Sequence, residues 1–151
     1  MNNPDGSRQD VRVDAAGGDG PAPRLVLESL RVQRDRVIAT VRVGDPKFAT
    51  TTPQFARQLV RIRPDLPIHS CVNGRGPTFG AVIANTPFPH VLEHVVIDLQ
   101  TASCANPDRV FTGVTRWVDR RAGRAQVEVS YADDLVCLRA FRDAMELLNS
   151  L

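Results

Sequence analysis

Residues 86–100 read Thr-Pro-Phe-Pro-His-Val-Leu-Glu-His-Val-Val-Ile-Asp-Leu-Gln. Thr86-Pro87 spells a helix start: a hydroxyl able to cap, then a proline whose missing N–H costs nothing in the first turn. Val91, Leu92, Val95, Val96 and Leu99 follow at helical spacing and predict one buried stripe. A helix here, set between two strand pairs, decides the architecture. Before it, Leu25, Leu27 and 30–32 make one strand candidate and 37–43 alternates apolar and polar over a second, turned at Gln33-Arg34-Asp35-Arg36. After it, 110–118 and 125–131 make a second hairpin, turned at 120–124. Thr52-Pro53 opens a helix through Phe55, Leu59, Val60 and Ile62, closed by Pro64 and Pro67. A short helix is expected around 78–84. Asp133 or Asp134 caps a final helix with Leu135, Leu138, Phe141, Met145 and Leu148 on one side. This order predicts an α+β fold: an antiparallel sheet of about four strands in two hairpins, with helices packed on one face.

Length and composition narrow the classes. A chain of 151 residues is read as one domain over 24–151, and 1–23, rich in Asn, Asp, Gly and Pro, is expected to be a disordered tail. A net charge of +2 implies no general field for polyanions, so nucleic acid is not expected as a partner. No apolar run approaches the ~20 residues that span a bilayer. Cys71, Cys104 and Cys137 are widely spaced, which argues against a zinc knuckle. Their odd number, with no signal sequence, favours a reducing cytoplasm. A homo-oligomer is compatible with all of this.

The chemistry lies in His90-Val91-Leu92-Glu93-His94, which holds two of the three histidines in the chain. Residues 90 and 94 share a helix face with 93 beside them. The order H-x-x-E-H is the inverted zinc-peptidase motif, with His90 and His94 as ligands and Glu93 as general base. Zinc is therefore the expected cofactor. A catalytic zinc ordinarily takes three protein ligands. Asp98 continues the i, i+4, i+8 series, but 90 and 98 are about 12 Å apart on a straight helix. It is better placed to accept from the His94 imidazole than to bind the metal. Glu128 is the first choice for third ligand, with His69 and Cys71 in the glycine-bearing loop 68–76 as the others. Arg116, Asn73 and Cys71 are candidate substrate contacts. Arg116, Arg120, Arg121 and Arg124 cluster on the second hairpin and could receive carboxylates of an acidic polymer.

From about residue 55 to 148 the chain resembles the N-terminal domain of cyanophycin synthetases. The resemblance runs through Phe55-Ala56-Arg57-Gln58-Leu59-Val60, the His-x-Cys-x-x-Gly loop at His69-Ser70-Cys71-Val72-Asn73-Gly74, the helix from Pro89 to Gln100, and the strand Thr112-Gly113-Val114-Thr115-Arg116. The ATP-grasp and ligase-like domains of those synthetases are absent from this sequence. The resemblance implies contact with an Asp-Arg polymer and, as in members that look like metallopeptidases, cleavage of it. It carries over His90 and His94 as zinc ligands, Glu93 as base and Asp98 at an acidic position. Two departures stand out: Pro89 replaces a glycine, and Ser130 replaces a glutamate before the strand tyrosine, leaving Glu128 two residues back to substitute.

The leading expectation is a zinc-dependent hydrolase of peptide-like bonds acting on a cyanophycin-like polymer or peptide. The alternative is a non-catalytic module that grips a polymer, or a partner such as a synthetase encoded elsewhere, through the arginine hairpin.

Overall fold

The structure is a computed structural model that describes residues 10–12 and 20–151. The expected tail lies largely outside the described residues. Within it, Asp10–Arg12 forms a short strand, β1. The first hairpin is β2 (Leu25–Val32) and β3 (Arg36–Val43), the second β4 (Gly113–Asp119) and β5 (Arg124–Ser130). All neighbours are antiparallel, in the order β1-β2-β3-β5-β4. The two expected hairpins thus join through β3 and β5, and β1 extends the sheet beyond the four strands foreseen.

Among the described residues three α-helices complete the fold: α1 (Pro53–Ile62), α2 (Phe88–Ser103) and α3 (Asp134–Ser150). Thr52 caps α1 as its sequence foretells, its hydroxyl accepting from the Phe55 amide at 3.2 Å. Asp133 caps α3, accepting from the Leu135 and Val136 amides. Thr86 does not cap α2. Pro87 holds the cap position, and the Thr86 hydroxyl is left free for a histidine side chain. The expected helix around 78–84 is one short 3-10 turn, Phe79–Ala81.

Strand parity explains why the helices sit on one face. Val37, Ala39, Val41 and Val43 on β3 and Ala125, Val127 and Val129 on β5 are all buried, and their neighbours in the chain point the other way. Helix α2 lies across β4 and β5, α3 across β2 and β3, and the two helices pack together. Leu92, Val95 and Val96 of α2 meet Phe141 and Leu148 of α3 in one core. Asn149 ties α3 to the sheet, its amide exchanging two 3.0 Å hydrogen bonds with the Leu25 backbone. The β4–β5 turn needs Gly123, whose φ of +67° disfavours any side chain. Among the described residues no helix is long and apolar enough to cross a membrane.

Candidate metal centre

Packing α2 onto β4 leaves a cleft of about 840 Å³, walled by the His69–Val72 loop, α2, and the chain from Arg109 to Trp117. His90 and His94 occupy successive turns of α2 at its floor. Phe79 fixes their rings, stacking on His94 with centroids 4.0 Å apart and meeting His90 edge-on at 5.2 Å. The loop opposite is held by backbone bonds from Phe79 to His69 (2.9 Å) and from Cys71 to Pro77 (3.2 Å). It delivers the Cys71 Sγ to 3.4 Å from His90 Nε2. Cys71, His90 and His94 each offer a ligand atom, all within 4.8 Å of one another.

Hydrogen bonds set the tautomers. A carboxylate can only accept, so Asp98 Oδ1 takes the His69 Nε2 proton at 3.2 Å. His69 Nδ1 must then accept, and at 3.3 Å its donor is His94 Nδ1. The lone pair of His94 is thereby assigned to Nε2. His90 Nδ1 is hydrogen-bonded to Thr86 Oγ1 at 2.8 Å, and in the tautomer that carries the proton on Nδ1 the Nε2 lone pair faces Cys71. Both imidazoles are held neutral. Burial lowers the pKa of His90, and burial with the neighbouring His90 and His69 takes His94 down to about 3. Asp98 feels an upward push from burial, but hydrogen bonds from His69 and Arg63 outweigh it and keep it a carboxylate. The Arg63 bond is 2.5 Å.

Glu93, only 7% exposed, is in no ion pair among the described residues and lies beside the histidines. Burial raises its pKa, against one opposing hydrogen bond from Thr115 Oγ1 at 2.6 Å. Gly113 makes room for it: a Cβ there would stand 2.5 Å from Glu93 Cγ and 2.9 Å from Oε1. The stretch Gly113-Val114-Thr115 is thus a mould for one carboxyl.

One expectation is corrected. Glu128 is not brought to the histidines. It alternates with Val127 and Val129, which point to the helices, so it emerges on the opposite sheet face, clamped by Arg116 at 2.6 Å and Arg36 at 3.3 Å. Cys71 lies beside them instead, its Sγ 3.4 Å from His90 Nε2. Arg116 lines the cleft, with its guanidinium paired to Glu128 and Gln126. Asn73 is consumed in building its loop, accepting from the Arg75 and Gly76 amides and donating to the Cys71 and Thr78 carbonyls. Asp98 bonds to His69 rather than to His94, the partner expected for it.

Residues the sequence reading missed are Thr86, Phe79, Gly113 and Thr115. The threonine two residues after Gly113, on one strand face, was the available signal. Cys104 is half-buried, and the buried Cys137 thiol is pushed up to about 12. Of the hairpin arginines, Arg124 is paired with Glu28 at 2.7 Å, so two of the four are already neutralised.

A family model described as the cyanophycin synthase-like N-terminal domain matches residues 40–151, most of the chain. The chain belongs to that family. No curated protein matches it.

Proposed function

We propose, on the premise of that family and the cluster in its cleft, that this chain is a zinc-dependent hydrolase of peptide-like bonds. The substrate class that fits the family is an Asp-Arg polymer of the cyanophycin kind. One observation carries the reading. Two imidazoles, each with one nitrogen hydrogen-bonded, to His69 or to Thr86, converge with a thiol beside a buried carboxyl that has no ion-pair partner among the described residues.

The donor set suits the metal. Ligands of one tetrahedral zinc at about 2.0–2.3 Å stand roughly 3.3–3.7 Å apart, and Cys71 Sγ and His90 Nε2 are separated by 3.4 Å. Cys71, His90 and His94 would hold the ion. Bound there, zinc would supply Lewis-acid polarisation of the scissile carbonyl. The remaining work falls to the chain. Glu93, with its pKa raised by burial, accepts a proton from the attacking water and returns it to the leaving nitrogen. Thr115 and Gly113 fix where that carboxyl stands. Asp98 and His69 keep the His94 proton on Nδ1, which leaves Nε2 with its lone pair. Arg63 holds Asp98 ionised for that task.

Metal analysis and polymer cleavage test this. Purified protein should hold one zinc per chain, lose it on His94→Ala or Cys71→Ala, and release short products from the polymer. Absence of stoichiometric zinc, or zinc indifferent to both substitutions, would overturn the reading. Polymer binding without cleavage that survives Glu93→Gln would make the chain a binding module instead.

A further inference from the structure

We propose that the open edge of β4 is a binding site for an extended peptide main chain, which adds to the sheet as a further strand beside Glu93. The proposal rests on the hydrolase reading for its occupant, but its geometry stands on the sheet alone. Strand β4 closes the order β1-β2-β3-β5-β4, so one of its sides has no neighbour among the described residues. Antiparallel ladders alternate between residues bonded to the partner strand and residues turned away from it. The Ser130 amide donates to the Thr112 carbonyl at 2.8 Å, which fixes the phase. Val114, opposite Glu128, and Arg116, opposite Gln126, therefore spend their backbone groups on β5. Gly113, Thr115 and Trp117 aim theirs at the open side.

None of those outward groups has another hydrogen-bond partner among the described residues. Exposed edges are ordinarily blunted by proline, by charged side chains, lysine above all, or by a bulge. Residues 113–117 carry no proline or lysine, their one charge, Arg116, is paired with Glu128, and the one register shift falls beyond them, between Trp117 and Asp119. The edge stays regular for five residues, roughly 17 Å.

Its position gives it a purpose. Gly113, Thr115 and Trp117 line the cleft together with His90, Glu93 and His94, and two of them shape the Glu93 carboxyl. A chain paired to these three rungs runs past Glu93 in an extended conformation. Recognition is then by N–H and C=O groups at every second residue, with side chains read only by what flanks the cleft. The ligand class is an unfolded, α-linked polypeptide backbone of at least about five residues, not a compact or cyclic amide.

The test uses full-length protein with zinc, carrying Glu93→Gln so that ligand stays intact. The probe is a peptide of alternating Asp and Arg about eight residues long, with versions N-methylated on every second amide in either phase. Trp117 is the only tryptophan, so its fluorescence reports binding, and amide exchange is followed by NMR. Binding should slow exchange at Gly113, Thr115 and Trp117 while Val114 and Arg116 hardly change. One methylation phase should weaken binding about tenfold or more, the other little. No binding, protection without this alternation, or equal loss in both phases would overturn the proposal. The two readings fail separately. Unmodified protein that holds zinc and cleaves, yet shows no edge protection, keeps the hydrolase and loses the strand site. Edge protection in protein that holds no zinc does the reverse.

Discussion

Glu93 and Glu128 lie on opposite faces of the β4–β5 hairpin, and their surroundings are opposite too. Glu93 is sealed beneath α2 with one hydroxyl for company, and its pKa is raised by burial. Glu128, its side chain only 12% exposed, lies on the helix-free face between two arginines that compensate its charge. A buried acid with no counter-charge is costly to ionise and is therefore suited to moving a proton. An acid held by two guanidiniums is suited to bracing strands. One hairpin thus carries a chemical face and a structural face, and each can be perturbed alone.

The largest contrast should come from removing each charge by an isosteric amide. Glu93→Gln is expected to cut polymer hydrolysis by about 10²–10⁴-fold, the usual worth of general acid–base catalysis, with zinc content unchanged. Glu128→Gln should leave the rate within about twofold, because its ion pairs run to Arg36 and Arg116 and not to the histidines or Glu93. The stability effect has the reverse sense. A carboxyl whose folded pKa is raised adds stability only at pH below its unfolded value, and that stability is lost as pH rises through the folded pKa. Glu93→Gln should therefore be no less stable than the parent at pH 8, by urea unfolding. A destabilised Glu93→Gln with normal hydrolysis would erase the distinction between the faces.

The mould around Glu93 gives the next effect. Gly113→Ala places a methyl 2.5 Å from Glu93 Cγ, so either the carboxyl or the strand must shift, at a cost of about 1–3 kcal/mol. Hydrolysis should fall with it. Combining Gly113→Ala with Glu93→Ala removes the clash and should recover most of the stability. If the double variant is no better than Gly113→Ala alone, the glycine serves the strand rather than the carboxyl.

The sequence announced the chemical face more clearly than the structural one. His90, Glu93 and His94 were legible because helical spacing puts them together whatever else the chain does. The hairpins, caps and long helices followed from alternation and from Thr52-Pro53 and Asp133. Glu128 went astray for a physical reason: a strand residue's face depends on which side the helices cover, and nearness to Tyr131 in the chain does not fix that side. Ala125, Val127 and Val129 carried the answer, since their parity is the core's. Cys71 was visible only as an alternative, because no spacing rule says that a loop 19 residues before His90 folds back onto it. The relay from Asp98 through His69 was beyond reach for the same reason. Thr86 reads as a helix cap, and only the fold shows its hydroxyl turned to His90.

Acid should then separate the faces by sign in metal-free protein. His90 and His94 are held neutral when folded, with folded pKa values below those of the unfolded chain. Their contribution is complete above the unfolded value of about 6.5 and is lost as pH falls from there toward the His94 value of about 3. The slope is about 1.4 kcal/mol per pH unit for each proton bound only on unfolding. Glu93 titrates with the opposite sign, so the measurement belongs in the Glu93→Gln background. There, His94→Phe should flatten the dependence between pH 6.5 and 4. An unchanged slope would mean His94 takes up its proton while folded.

The smallest effect belongs to the helix-free face. Arg116 and Arg36 are 54% and 42% exposed while Glu128 is only 12% exposed, so water screens the arginine side of each pair. Glu128→Gln should cost about 1 kcal/mol at low salt, and part of that difference should vanish in 1 M NaCl, where the screening length is about 3 Å. Zinc content should not move in either condition. This small number is the sharpest check on the placement of the metal ligands, because a carboxylate that completed a zinc site would release the metal when neutralised, at any ionic strength. Loss of zinc from Glu128→Gln would put this residue back beside His90 and His94, and would displace Cys71 as the third donor.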